Sequence, residues 1–412
     1  MNNKQKKQLY IGIDLYDQYA MVSFIDENTD SPSTVNTGAL HEEFSIPLSM
    51  CYLKESGNWS FGEEAERFFR AGMGEFYDNI FARAVKGEMT IAAGGSMSYS
   101  KLLTLFFRRL VDMCRNIIPD AEPAVLVVAT EQLTIEVIET LNDVLDAMTD
   151  LKLSTHIMEH RECFYYYALS QPDELKRNNM ALFDFTNEHL KAYILRRDVR
   201  SIPQRAAIEE VDFGTLNYSL DENFSEFIPQ VLGKEIFSSV YLVGNGFDGG
   251  WLKESLKLLC RGRRAFQGKN LYSKGAGYAA RVLSGREKWE YVYLGRHTMK
   301  FNVSLKVSDL GEMKFMTLVS AGERWFETKG ECEVIIDGDN SIDFWVHMPD
   351  KRDAKIETFT LRGITERENR TTRIRIKAKP RSDHEVVIEL AEVGFGEIAP
   401  SGNKKWEALI KV

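Results

Sequence analysis

The chain has 412 residues, 44% hydrophobic and 27% charged, which gives length for two or three domains and the make-up of an ordinary soluble globular protein. Its net charge of -9 argues against a nucleic-acid surface, and no stretch approaches the roughly 18 apolar residues that span a bilayer. Lysines near the N-terminus lead straight into a strand rather than a signal peptide, and five cysteines without a CxxC spacing argue against a zinc site or disulfide framework, which suits a cytoplasmic compartment.

Tyr10-Ile11-Gly12-Ile13-Asp14-Leu15 predicts an apolar first strand ending in a carboxylate, and Ala20-Met21-Val22-Ser23-Phe24-Ile25 predicts the returning strand of a hairpin. Ser45-Ile46-Pro47-Leu48 with Cys51-Tyr52-Leu53 reads as a third strand, and a helix starts at Glu63. Apolar residues at helical spacing (Leu102, Leu105, Phe106, Leu110, Met113, Ile117) predict a helix over 102–117, and a similar pattern predicts one over 132–148. Between them Ala124-Val125-Leu126-Val127-Val128-Ala129 is a buried strand. Residues 159–169 predict another helix, whose run Phe164-Tyr165-Tyr166-Tyr167 is expected to pack and keep one exposed face. Ala181-Leu182-Phe183-Asp184-Phe185 repeats the strand with a terminal aspartate, and Val240-Tyr241-Leu242-Val243 runs into the turn Gly244-Asn245-Gly246. Helices over 252–259 and 275–283 follow. Strands alternating with helices indicate an α/β fold with parallel pairing, and no internal repeat shows.

Composition shifts near Gly285. Beyond it, period-two runs such as Ile342-Asp343-Phe344-Trp345-Val346 and Glu385-Val386-Val387-Ile388-Glu389-Leu390 predict an antiparallel β domain of seven or eight strands. The expected domains are 1–287 and 288–412, with a short charged joint open to proteolysis at 285–288. Asp337-Gly338-Asp339-Asn340 reads as a tight hairpin at a sheet edge.

In this order the segments resemble a divergent DnaK-type (seventy-kilodalton heat-shock) chaperone of the actin-like ATPase superfamily. Residues 157–169 take the place of that family's Asn-Glu-Pro helix, and Tyr272-Ser273-Lys274-Gly275-Ala276-Gly277-Tyr278-Ala279-Ala280 is similar to its closing Gly-Ala-Ala helix. Phe359-Thr360-Leu361-Arg362-Gly363-Ile364 and the strands after it resemble the end of the β-sandwich substrate-binding domain, and Asp309-Leu310-Gly311-Glu312-Met313 is similar to the loop edge that faces bound peptide. The resemblance implies a two-lobed actin-like (ribonuclease-H-like) ATPase domain followed by an antiparallel β-sandwich. Two departures stand out. Only about 45 residues separate Leu195 from Val240, where the family holds an extra subdomain, and no helical lid is expected after the β domain.

At the nucleotide site the resemblance meets degenerate motifs. Asp14-Leu15-Tyr16-Asp17 stands for Asp-Leu-Gly-Thr, and Asp184-Phe185-Thr186-Asn187-Glu188 for Asp-Leu-Gly-Gly-Gly. Glu66 occupies the position of the catalytic lysine; the turn Gly244-Asn245-Gly246-Phe247-Asp248, which lines the equivalent cleft, keeps one aligned glycine, but Asp248 replaces an adenine-stacking arginine. Each carboxylate about 4 Å from a phosphate costs on the order of 4 kcal/mol even at an effective dielectric near 20, so Asp17, Glu66, Glu188 and Asp248 disfavour Mg-ATP. No cofactor and no catalytic residue is assigned. Asp14, Glu159 and Asp184 are candidates, being the positions that arrange magnesium and water in the family; Asp14 and Asp184 could ligate a metal or simply cap adjacent turns. His156 and His160 are expected at the surface, and Arg261-Gly262-Arg263-Arg264 is a solvated basic loop or a contact for an acidic partner.

The expected function is therefore a non-catalytic, heat-shock-chaperone-like protein. Its β domain would hold a protein or extended peptide by edge-strand addition near Leu310, Met313, Phe315 and Met316, with the 337–341 turn nearby. Filling of the sandwich core is the competing role for Met313, Phe315 and Met316. A slow Mg-ATP-dependent ATPase with a rebuilt phosphate site, and a purely structural scaffold, are the alternatives.

Overall fold

Both faces of the first strand, Lys7–Leu15, are covered, which is why its run is apolar without alternation: Ile11 and Ile13 have no exposed surface. The computed structural model describes residues 7–38, 42–233, 235–364, 368–396 and 400–412. On one side of this strand lie Ala121–Thr130 and then Ser154–Glu159, both parallel to it. On the other side Tyr19–Asp26 runs antiparallel, flanked by the two-residue strands Ser33–Thr34 and Ile46–Pro47. The expected third strand is thus divided. Ile46–Pro47 joins this sheet, whereas Met50–Leu53 pairs with Asn58–Phe61 and Gly74–Tyr77 in a small separate sheet.

A second sheet is laid down in the same order. Its first strand is Asn179–Thr186; His189–Asp198 and Gln204–Thr215 lie outward on one side, and Phe237–Val243 and Arg264–Gln267, parallel to the first, on the other. The order of the first sheet recurs although no sequence repeat announces it. Between its third and fourth strands the chain forms the helix Leu220–Leu232, whose Phe224 packs edge-on against Phe183 at 5.1 Å. In each sheet the outermost parallel strand leads to a helix: His160–Leu169 in the first, Leu271–Leu283 in the second.

These two helices sit against each other and against bare backbone. A Cβ added at Gly275 would lie 2.2 Å from Cys163 O, and one at Gly12 would lie 2.3 Å from Gly277 N. Ser23 Oγ and Ser273 Oγ share a buried hydrogen bond of 2.8 Å at the same seam. The helix His160–Leu169 is consequently buried nearly all round; Phe164, Tyr165 and Tyr166 are core residues, and the expected exposed face is missing.

Two compact units divide the chain: Met1–Asp198 with Ile208–Glu290, and Val199–Ala207 with Tyr291–Val412. In the second, Gln204–Ala206 pair in parallel with Tyr291–Tyr293. Eight further strands form two four-stranded sheets, one of Glu312–Val319, Asn302–Asp309, Ser341–His347 and Lys355–Thr360, the other of Gly330–Ile335, Arg373–Ser382, Glu385–Glu392 and Lys405–Lys411. Leu305, Phe344, Ile376 and Ile388 meet in the core between them. The segment 337–340 is not a hairpin, since it carries the chain from one sheet to the other. It is pinned there by Asp337, which pairs with Arg370 at 2.7 Å and accepts from Asn369 at 2.7 Å.

The helix seam makes a sharp expectation. Gly275→Ala pushes a methyl group into backbone that cannot swing aside, so it should cost about 3 kcal/mol or more in urea unfolding. Gly268→Ala, which meets nothing within 4 Å, should be close to neutral.

Candidate functional site

In open α/β sheets the crevice beyond the carboxyl ends of the strands is where chemistry collects. Asp14 and Asp184 occupy that end of the first strand in each sheet, in register with Ala129 and Val243 of the parallel neighbours. Each is bonded by a ring from the first turn of the helix that follows the outermost parallel strand of its own sheet. His160 Nε2 lies 2.6 Å from Asp14 Oδ1, and Tyr272 donates its hydroxyl to Asp184 Oδ2 at 2.6 Å. The two rings then stack on one another, with centroids 3.9 Å apart and planes inclined by only 7°. Asp14, His160, Tyr272 and Asp184 thus form one continuous bridge across the crevice.

Aromatic residues line this bridge. The Tyr16 ring lies 5.4 Å from that of His160 and stacks on Tyr19 at 4.5 Å. Thr186 Oγ1 donates to Asp184 Oδ1 at 2.6 Å, so both oxygens of Asp184 are engaged. Asp14 Oδ2 is buried without a hydrogen bond. Two ion pairs complete the crevice: Lys191 to Glu131 at 3.0 Å, and Arg161 to Glu210 at 2.8 Å with a second bond to Glu159 at 3.2 Å.

The titrating groups follow from this packing. Burial alone would push the His160 imidazole down, but the charge of Asp14 and the bond to it outweigh burial and hold the imidazole above its ordinary value. Burial raises the Asp184 carboxyl against the opposing pull of Thr186 and Tyr272. The hydroxyls of Tyr16 and Tyr272 are pushed far up, first by burial and then by the neighbouring aspartates. They are therefore neutral hydrogen-bond donors at any physiological pH. Asp184 is engaged through both oxygens and Asp14 through one, and the arrangement can hold and orient protons.

Not every residue named from the sequence joins this centre. Asp17 is exposed in the turn after the first strand. Glu66 pairs with Arg70 one turn along its own helix, at 3.2 Å, and Asp248 pairs with Lys269 at 3.0 Å. Glu188 is exposed with a left-handed φ of 62°. Gly244 and Gly246 are required by packing, because a Cβ at either would meet Phe185 at 2.3 Å. Glu159 is buried but turned to Arg161. Two participants were misjudged or missed. His160, expected at the surface, is 3% exposed, and Tyr272 had been read only as part of a helix. A histidine opening an aromatic helix directly after a strand was the available signal for the first.

In the second unit Leu310, Met313 and Phe315 are exposed, Met313 by 61% and Phe315 by 55%, so none of the three fills the sandwich core. Met316 does turn inward and packs against that core. Phe315 meets Trp345 edge-on at 5.3 Å, and Lys306 lies 6.0 Å over the same indole. Among the described residues no helix is long and apolar enough to cross a membrane, and no two cysteines are joined in a disulfide.

A family model described as a family of unknown function (DUF5716), C-terminal, matches residues 31–296, and one described as a domain of unknown function (DUF8552) matches residues 298–412. The first match takes in His160, Asp184 and Tyr272, and the second takes in the Met313 strand. No curated protein matches the chain.

Because the folded His160 titrates above its unfolded value of about 6.5, its pair with Asp14 stabilises the fold fully below that pH. That contribution is lost as pH rises through the folded value. Asp184, also raised, acts with the same sign from about 3.9 upward. The stability gap between the wild-type chain and His160→Gln should therefore be widest at mildly acid pH and narrow toward alkaline pH in thermal unfolding. A gap that widens as pH rises would exclude the charged pair.

Proposed function

We propose that this chain, which belongs to the family of unknown function DUF5716 (C-terminal), is a non-catalytic, heat-shock-chaperone-like protein of the cytoplasm. A degenerate actin-like body is joined to a β-sandwich that holds an extended segment of a protein partner. The observation that carries the binding role is the exposure of Met313 and Phe315 side by side on the strand Glu312–Val319, the last strand of its sheet. A free strand edge supplies backbone groups for augmentation, and exposed apolar side chains beside it supply contact area.

What supports the actin-like part is the strand order, laid down twice with an aspartate ending the first strand each time. What supports loss of catalysis is the bridge in the crevice. His160 and Tyr272 occupy the two aspartates that the chaperone resemblance would turn toward magnesium and phosphate, and their stacked rings fill the space between. Opening that space means breaking two buried hydrogen bonds to carboxyl groups, a cost added to the repulsion from the acidic substitutions.

Two measurements test this. Met313→Ser and Phe315→Ser should each change stability by no more than about 1 kcal/mol, since both side chains are largely exposed, yet abolish capture of extended peptides from a seven-residue library. Loss of folding with peptide capture intact sinks the binding role. Millimolar Mg-ATP should leave the melting temperature unmoved, whereas a ligand at a hundredfold excess over its Kd adds about 2.7 kcal/mol. A clear upward shift would restore the ATPase alternative.

A further inference from the structure

The hairpin that bears Met313 and Phe315 turns on two residues, Leu310 and Gly311, with φ of 51° and 89°. Such a turn makes the flanking Asp309 and Glu312 a mutually hydrogen-bonded pair. Alternation along the antiparallel ladder then assigns every backbone group. Glu312, Lys314 and Met316 direct theirs to the strand Asn302–Asp309, and Met313 and Phe315 direct theirs to the open edge. Among the described residues no strand pairs with that edge.

Side chains follow the same alternation. Met316 lies opposite buried Leu305, which fixes the inner face, so Met313 and Phe315 stand on the outer one. There the apolar surface continues across the sheet through Trp345, opposite Ser304, to Ile356, opposite Trp345. Ile356 is 45% exposed. The groups that offer hydrogen bonds to an incoming strand therefore belong to the residues that offer it an apolar shelf.

Resting on the peptide-holding role above, we propose that the partner segment binds antiparallel and reads, from its N-terminus, apolar, acidic, apolar, basic. The first residue lies opposite Phe315 and the third opposite Met313, both on the outer shelf, because directly paired residues share a face. The second then lies opposite Lys314 and the fourth opposite Glu312, where opposite charges attract and like charges repel. Lys314 already pairs with Asp309, but both side chains are more than half exposed, and such a pair contributes little and is readily exchanged. A second copy of this chain fits less well. Its Glu312, Met313 and Lys314 would meet the charge order, but Gly311 would fall opposite Phe315 and leave the shelf empty.

The test uses the full chain and two labelled peptides with the cores Val-Glu-Val-Lys and Val-Lys-Val-Glu, followed by fluorescence anisotropy. The first should bind about tenfold tighter, through two favourable pairs against two repulsive ones. The doubly exchanged variant, Glu312→Lys with Lys314→Glu, should reverse that order. Equal binding of both peptides overturns the charge code while leaving peptide holding intact. Failure of these and of the seven-residue library overturns the peptide-holding role itself. Concentration-dependent dimerisation that the first peptide does not dissolve assigns the edge to a second copy and overturns the proposal.

Discussion

The crevice depends on a helix meeting bare backbone. Leu271–Leu283 can approach the first strand and the helix His160–Leu169 only because Gly12 and Gly275 carry no side chain at the seam. A methyl group at either would overlap main-chain atoms rather than a yielding side chain, so the approach is a property of the backbone. That closeness sets Tyr272 flat on His160, and the stacked rings in turn set what the two aspartates can bind. Seam, stack and carboxylates form one chain of dependence.

The two sheets contribute to the bridge in equivalent ways yet with different chemistry. Each supplies an aspartate from its first strand and a ring from the helix after its outermost parallel strand. One ring, held above its ordinary value, can take a proton, and the other stays neutral. The centre therefore joins one ionisable ring and one neutral hydroxyl to its two carboxyl groups. Such a pair is costly to break, since removing one partner leaves a buried charge uncompensated. The arrangement ties the helices of the two sheets together through protein side chains alone.

Much of the fold was legible because burial on both faces writes long apolar runs. Lys7–Leu15, Ala121–Thr130 and Asn179–Thr186 could be read directly, as could the helix Tyr99–Ile117 from its periodicity. Gln204–Thr215 could not. It is only patchily buried and mixes charge with apolar residues, so neither template matches it. His160 was hidden for a different reason. Its chain neighbours His156 and Glu159 suggest a polar surface, while the partner that explains it, Asp14, lies 146 positions away. Tyr272 and Asp184 are separated by 88. Contacts of that range leave no local trace. Met313 and Phe315 were found as candidates, but only the paired register separates them from Met316, which faces the core.

One feature of the units bears on how the sandwich can be inherited or moved. The chain visits the second unit twice, first through Val199–Ala207 and again from Tyr291 onward. A cassette entered once can be cut or grafted at one junction; this one cannot. A graft beginning where the second family match begins, at residue 298, would leave behind both Gln204–Ala206 and the strand they pair with, Tyr291–Tyr293. A graft beginning at Tyr291 would carry that strand without its neighbour and present a raw edge of its own. Transplanting the β unit whole means taking nine residues (199–207) from the middle of the body as well.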